Sequence, residues 1–247
     1  MRAPAPAFAE LVAATNFSFL RGASSAQQMA LTSLLIGQNG LAIADRNTVA
    51  GVVRAHAAVK EMREGGSLPP VLRRTGGAPG DVEVAVAPLS DDAQEAERLR
   101  AFVQARARDF RLVAGARLAF ADGTPDIVAH PATRAGWGRL TRLLTIGQRR
   151  AKKGECDLSF ADLAAHAEDL LLILAPGETP SRERLGRLAE IAPGAVWIGA
   201  RMGRLGDDRR RLARLAARAR EAGLPLLATA DALHAQEEDR DLQDLLT

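Results

Sequence analysis

The segment 8–24 limits the options of this chain more than any other. An apolar run from Phe8 to Ala14 reads as a buried strand. It breaks at Asn16-Phe17-Ser18-Phe19-Leu20-Arg21-Gly22-Ala23, then enters helical spacing at Ser24. Many α/β proteins build the mouth of a site from such a strand, loop and helix. A short connection from that helix to the next strand implies parallel pairing with a right-handed crossover. Just before the loop stand Val12, Ala13 and Ala14, with no histidine, carboxylate or nucleophile among them.

The alternation continues along the chain. Ser24 caps a helix to about Gln38, which Asn39-Gly40 ends. Leu41 to Ala44 is a short buried strand that runs into Asp45-Arg46-Asn47, and Thr48 to Met62 is a second helix. Residues 64–81 carry glycines and prolines around Arg73-Arg74 and read as a flexible excursion. Val82 to Ala87 is a strand, and Asp91-Asp92 open a helix to about Arg108. Phe110 to Phe120 and Pro125 to Ala129 flank Asp122-Gly123 as a hairpin. Pro131 to Gly147 is an amphipathic helix that runs into Arg149, Arg150, Lys152 and Lys153.

Ser159 and Asp162 form a near capping box before a short helix to Glu168. The apolar run Leu170 to Leu174 fits a central strand. Three further elements follow: a helix over Pro180 to Ile191, a strand over Ala195 to Ala200, and a long helix from Asp207-Asp208 to Ala222. Leu224 to Thr229 is the last clear strand, and Gln236 to Leu246 is a final helix. About seven or eight strands, most followed by a helix, favour a closed or nearly closed βα barrel in one domain, with an open doubly wound sheet as the alternative.

Composition excludes some classes. At 247 residues the chain is long enough for a full core. The single cysteine, Cys156, permits no intrachain disulfide and fits a reducing cytoplasm. No apolar run reaches the ~18 residues of a membrane span. The absence of tyrosine argues against a ring-stacking surface for single strands. The net charge of +3 allows a nucleic-acid partner without requiring one.

In a βα barrel, chemistry sits on loops after strand C-termini. Those loops contain Asp45, Arg46, Arg117, His130, Arg201, Asp231 and His234. Such a set is poor in metal ligands and rich in arginine, which cannot ligate and repels cations. No phosphate-binding glycine loop with its Lys-Ser/Thr is present, and no serine stands in a nucleophile elbow. Acidic neighbours raise rather than lower the pKa of Cys156.

Several blocks carry a family likeness. They are Glu10-Leu11 with Thr15 to Ser24, Ala42-Ile43-Ala44-Asp45 with Val49 to His56, Thr133 to Leu140 with Arg149 to Glu155, Leu224 to Asp231, and Leu242 to Thr247. Together they resemble the PHP (polymerase and histidinol phosphatase) domain of bacterial error-prone C-family DNA polymerases, the alpha-subunit-like translesion enzymes. The resemblance implies a distorted seven-stranded βα barrel. In metal-binding members, histidines and acids at strand ends hold up to three metals for phosphoester hydrolysis.

Carried over by position, most of that ligand pattern is missing. The opening His-x-His place reads Val12-Ala13-Ala14, Asp45 is followed by Arg46, and the Gly-x-Glu place reads Gly115-Ala116-Arg117. Beyond the Trp197 strand stand Arg201 and Gly203, and the closing Asp-x-His reads Asp231-Ala232-Leu233 with His234 one place late. The resemblance therefore implies no metal or other cofactor, and ion pairs of Arg46, Arg117 or Arg201 with Asp45 and Asp231. It implies a catalytically inactive structural or interaction module of a polymerase used in damage-induced DNA synthesis, with a phosphoesterase of rebuilt site as the alternative. The implied partners are the remainder of the polymerase or other mutagenesis proteins, and DNA through Arg149, Arg150, Lys152 and Lys153, with no membrane. The palm carboxylates of nucleotidyl transfer are not in these residues.

Overall fold

A computed structural model of the protein describes residues 7–74, 84–175, 177, 180–204, 206–237 and 239–240. The strands are β1 (Ala9–Ala13), β2 (Gly40–Arg46), β3 (Val71–Arg74), β4 (Val84–Ala87), β5 (Arg111–Leu118), β6 (Ile127–Pro131), β7 (Leu170–Leu174), β8 (Val196–Ala200) and β9 (Leu226–Ala228). The helices are α1 (Ala26–Leu35), α2 (Ala50–Arg63), α3 (Ala93–Ala107), α4 (Arg134–Arg150), α5 (Phe160–Ala164), α6 (Arg182–Ile191) and α7 (Asp208–Ala222). Seven strands form one α/β sheet in the order β1-β2-β5-β6-β7-β8-β9. The seven-stranded α/β architecture expected from the sequence is thus present.

One feature departs from the expected pattern, and a second, the expected hairpin, interrupts the parallel pairing. Within the stretch read as a flexible excursion, β3 is a strand, paired antiparallel with β4 as a separate ribbon. Its residues alternate too briefly to stand out beside so many glycines and prolines. Secondly, β6 runs antiparallel to both neighbours, whereas β7-β8-β9 pair in parallel. The β5-β6 hairpin at Asp122-Gly123 reverses the chain, and Gly123 takes the positive φ that such a turn requires. The C-terminal end of β6 therefore lies beside the start of β7, with His130 opposite Leu171. The expected final helix over 236–246 lies largely outside the described residues.

The chain divides into two compact units. The first comprises residues 1–45, 50–113 and 232–247, the second 46–49 and 114–231. In the first unit, α1, α2 and α3 bury Met29, Leu31, Leu34, Val59, Met62 and Val103 with Leu41 and Ile43 of β2. Ser25, one residue beyond the expected cap, begins α1 through a capping box with Gln28. The loop between β1 and α1 is closed on itself by backbone hydrogen bonds from Asn16 to Ser24, Ser18 to Thr15, and Arg21 and Gly22 to Ser18. It also anchors the later segment of the unit: Ala14 N–H donates to Ala232 and Ala23 N–H to Leu233. Ser24 Oγ donates to buried Asp239 and accepts from Ala235 N–H at 2.7 Å.

Gly22 is forced by this closure. A Cβ there would overlap the Thr15 carbonyl, which is backbone and cannot swing aside. We expect Gly22→Ala to cost about 1–3 kcal/mol or more in chemical denaturation, the range for overpacking a closed site, whereas alanine at open Gly123 loses only the left-handed preference.

In the second unit, the sheet and α4–α7 enclose Leu118, Ile127, Leu140, Leu143, Leu158, Leu163, Leu172, Leu185 and Ile198. The capping box expected at Ser159 and Asp162 is formed, with the aspartate accepting from the Ser159 N–H at 2.9 Å. Asp162 also takes the Arg150 guanidinium at 2.6 Å. That guanidinium, with the Ser159 hydrogen bonds, draws the Asp162 pKa from the ordinary 3.8 down to about 2. A depressed carboxylate stabilises the fold above its unfolded pKa and loses that contribution as pH falls through the folded value. In an acid titration of stability, Asp162→Asn is therefore expected to flatten the fall between about pH 4 and 2.

Candidate functional site

The two carboxylates singled out in the sequence are held in different ways. In the first unit, Asp45 ends the buried part of β2 with no solvent exposure. Its Oδ1 accepts from Thr15 N–H at 2.6 Å and Ser18 Oγ at 2.7 Å, and its Oδ2 accepts from Thr15 Oγ1 at 2.8 Å. Burial raises its pKa, and these hydrogen bonds act against the rise. Gly51, near the start of α2, makes the close approach: a Cβ there would meet Asp45 Oδ2, with Thr15 Oγ1 at 2.8 Å. Within the first unit the partners of Asp45 are neutral donors rather than a guanidinium. The reason is local. The β1-α1 loop folds back and supplies neutral donors, and Arg46 stands at the exposed end of β2.

In the second unit, Arg117 of β5 is only 3% exposed. Its Nη2 donates to Asp231 Oδ1 at 3.0 Å, and its Nε lies 3.9 Å from Asp126. Arg201, just after β8, approaches Asp231 Oδ2 at 3.6 Å from a more exposed position. Asp231 follows β9, with φ of 53°, and its N–H donates to Thr229 Oγ1 at 3.1 Å. Arg117 and Arg201 are thus both brought to Asp231.

Nearby residues explain the local strand geometry. Asn47 N–H donates to the Arg117 carbonyl at 2.9 Å, and Asn47 Oδ1 accepts from Ala119 N–H at 2.9 Å. Gly115 is required because a Cβ would overlap the His130 ring. His130 is buried and its Nδ1 lies 3.0 Å from the Ala114 carbonyl. It therefore does not join the loops after the parallel strands, since β6 runs the other way. His234, in the first unit, has Nδ1 at 2.9 Å from the Gln236 carbonyl. Among the described residues, no group of three or more His, Cys, Asp or Glu side chains stands together as a metal-holding cluster.

The basic group divides as well. Arg149, Lys152 and Lys153 are exposed, but Arg150 is bound to Asp162. Thr15, Ser18, Asn47 and Asp126 were not anticipated as parts of these arrangements. Asn47 carried one signal, its tolerance of positive φ just after a strand, and it adopts φ of 51°.

The Arg117–Asp231 pair yields a test by double substitution. Removing one partner leaves a buried charge uncompensated, at a cost of about 3–5 kcal/mol. We expect that loss for Arg117→Met alone by urea denaturation, and recovery of part of it in Arg117→Met with Asp231→Asn, which removes the charge and tolerates the φ of 53°.

No family model matches the chain. It is 39% identical over 242 residues to the error-prone DNA polymerase of Brucella abortus biovar 1 (strain 9-941), and 42% identical over 245 residues to error-prone DNA polymerase 1 of Rhizobium meliloti (strain 1021). These matches cover 96% and 97% of this chain, but 19% and 18% of the polymerases. Among solved structures, a metal-dependent phosphoesterase from Bifidobacterium adolescentis aligns with a TM-score of 0.55 at 12% identity, over 93% of this chain and 88% of that one. An amidohydrolase from Chromobacterium violaceum aligns at 0.50 and 15% identity, over 93% and 89%. Likeness at such low identity concerns the fold alone. The chain spans about a fifth of the length of the relatives it matches; over that extent it is similar to part of bacterial error-prone DNA polymerases, and its α/β fold is like that of the phosphoesterase.

Proposed function

We propose that the chain is a catalytically inactive PHP-type module of an error-prone DNA polymerase, serving damage-induced DNA synthesis in the cytoplasm as a structural and interaction element. The remainder of such a polymerase, or other mutagenesis proteins, are its partners in this reading. The observation that carries it is the 3.0 Å contact of buried Arg117 with Asp231. A permanent cation thus takes up a carboxylate oxygen that would otherwise be free to ligate a metal.

The donor chemistry supports the same conclusion. Val12 and Ala14 have no ligating atoms. The Asp45 oxygens already accept three hydrogen bonds from Thr15 and Ser18. These residues do not fit the metal centre of a phosphoesterase, and no hydrolytic step is derived through one.

Metal analysis of purified protein, paired with hydrolysis of a generic phosphoester, tests the reading. The expected result is no stoichiometric zinc or manganese, and no hydrolysis above background with either metal added. Hydrolysis abolished by chelator and by Asp45→Ala would instead establish the alternative, a phosphoesterase with a rebuilt site. No helix among the described residues is long and apolar enough to cross a membrane.

A further inference from the structure

The stretch from Arg134 to Lys153 carries seven Arg or Lys residues and no Asp or Glu. The whole chain has a net charge of only +3, so everything outside this stretch is net negative. Positive potential is therefore concentrated on α4 and the turn after it.

The structure separates the cations of this stretch by use. Arg139 is committed to Glu168 and to Asp169, the latter at 2.8 Å, and Arg150 is committed to Asp162. Arg134, Arg142, Arg149, Lys152 and Lys153 are exposed, and among the described residues they form no ion pair. At about 100° per residue, Arg134, Arg142 and Arg149 fall on one face of α4, within roughly 80° of one another. They are separated by about 12 and 10.5 Å along the axis. The acids nearest in sequence, Glu155 and Asp157, lie past the helix in the following loop.

The same face is shaped for close approach. Between the arginines lie Gly138, Thr141 and Thr145, which line a shallow groove with Arg142 and Arg149. Thr141 donates to the Trp137 carbonyl at 3.0 Å and Thr145 to the Thr141 carbonyl at 2.8 Å, so both hydroxyls are folded back onto the helix. On the inner side, Gly136 and Gly147 are required by contact with Asp169 and with Cys156 and Leu158. Gly138 has no such requirement, since a Cβ there would touch nothing. It leaves the outer face flat between cations.

We infer that this face of α4, with Arg134, Arg142 and Arg149 and continued by Lys152 and Lys153, tracks the phosphate backbone of duplex DNA. This names a partner for the interaction module proposed above and rests on that reading. The cations stand about 12 and 10.5 Å apart along the helix axis, and duplex DNA presents one phosphate charge per about 3.4 Å of its own axis on each strand, so the row meets a dense line of phosphates. No exposed ring stands among these cations, so the contact is with phosphate rather than with unstacked bases. Helix α7 is also arginine-rich but suits this role less. It begins at Asp207-Asp208, pairs Arg211 with Asp208 and Arg218 with Glu221, and spreads Arg209, Arg210 and Arg214 more widely around its axis.

Fluorescence anisotropy with a labelled mixed-sequence DNA duplex over a salt series tests the inference. Arg134→Gln/Arg142→Gln/Arg149→Gln is expected to weaken binding at least about tenfold at low salt and to flatten the slope of log affinity against log salt by about 2.7, three contacts at 0.9 each. The matched control Arg209→Gln/Arg210→Gln/Arg214→Gln makes the same charge change and is expected to leave that slope unaltered. Melting curves verify that both variants are folded. Gly138→Gln, which should fold normally, is expected to weaken binding by crowding the groove. Equal losses in the two triple variants, or no loss in the α4 variant, would overturn the inference. So would polyglutamate competing as well as unlabelled duplex, which would indicate an acidic protein partner. Metal content and phosphoester hydrolysis are measured on the same samples, so a failure here stays distinct from a failure of the inactive-module reading.

Discussion

A carboxylate without water must be given hydrogen bonds or a counter-charge, and much of this structure follows from how two aspartates meet that demand. Burying an unpaired charge costs several kcal/mol even after relaxation. Asp45 is satisfied by neutral donors, the Thr15 N–H and the hydroxyls of Thr15 and Ser18. Those donors belong to the β1-α1 loop, so satisfying Asp45 also fixes that loop's shape. The loop in turn holds residues 232–239 through Ala14, Ala23 and Ser24. Asp45 therefore organises the first unit.

Asp231 is satisfied by charge. Arg117 is buried with it and Arg201 approaches from the exposed side. Such a pair adds little net stability relative to apolar side chains of the same volume, but loss of one partner is costly. It therefore fixes which residues must stay together rather than how stable the unit is. In the first unit, by contrast, a change at Asp45 would strand several small donors, each worth about 1–3 kcal/mol when left unsatisfied.

Much of this was legible in the chain. The apolar run Leu170 to Leu174, the Ser159–Asp162 cap and the Asp122-Gly123 hairpin each carry a local signal, and each element formed where the signal lies. The reversed direction of β6 followed from that same hairpin, but its effect on His130 depends on pairing across the sheet, which periodicity does not encode. Strand β3 was hidden because four residues among glycines and prolines are too few to show alternation. The Arg117–Asp231 contact joins residues 114 positions apart, and no spacing rule reaches that far. The sequence places both on loops after strand C-termini, but which arginine meets which carboxylate depends on the order of the strands in the sheet.

The way α4 is mounted explains why its cations divide as they do. Gly136 and Gly147 let the helix lie directly against 156–158 and Asp169, which sets its rotation about its own axis. With that rotation fixed, Arg139 and Arg150 fall beside the acids of 162–169 and are neutralised there. The raised pKa of Arg150, caused mainly by its hydrogen bond to Asp162, expresses the same commitment. Arg134, Arg142 and Arg149 lie on another flank, where no carboxylate among the described residues pairs with them. Arg149 also sits in the last turn, where the helix macrodipole favours a cation, but that effect is confined to a single turn. It gives no account of Arg134 or Arg142 farther up the helix. Inward glycines and outward arginines are thus two consequences of one helix orientation, in which close packing on one side leaves the other side uniformly positive.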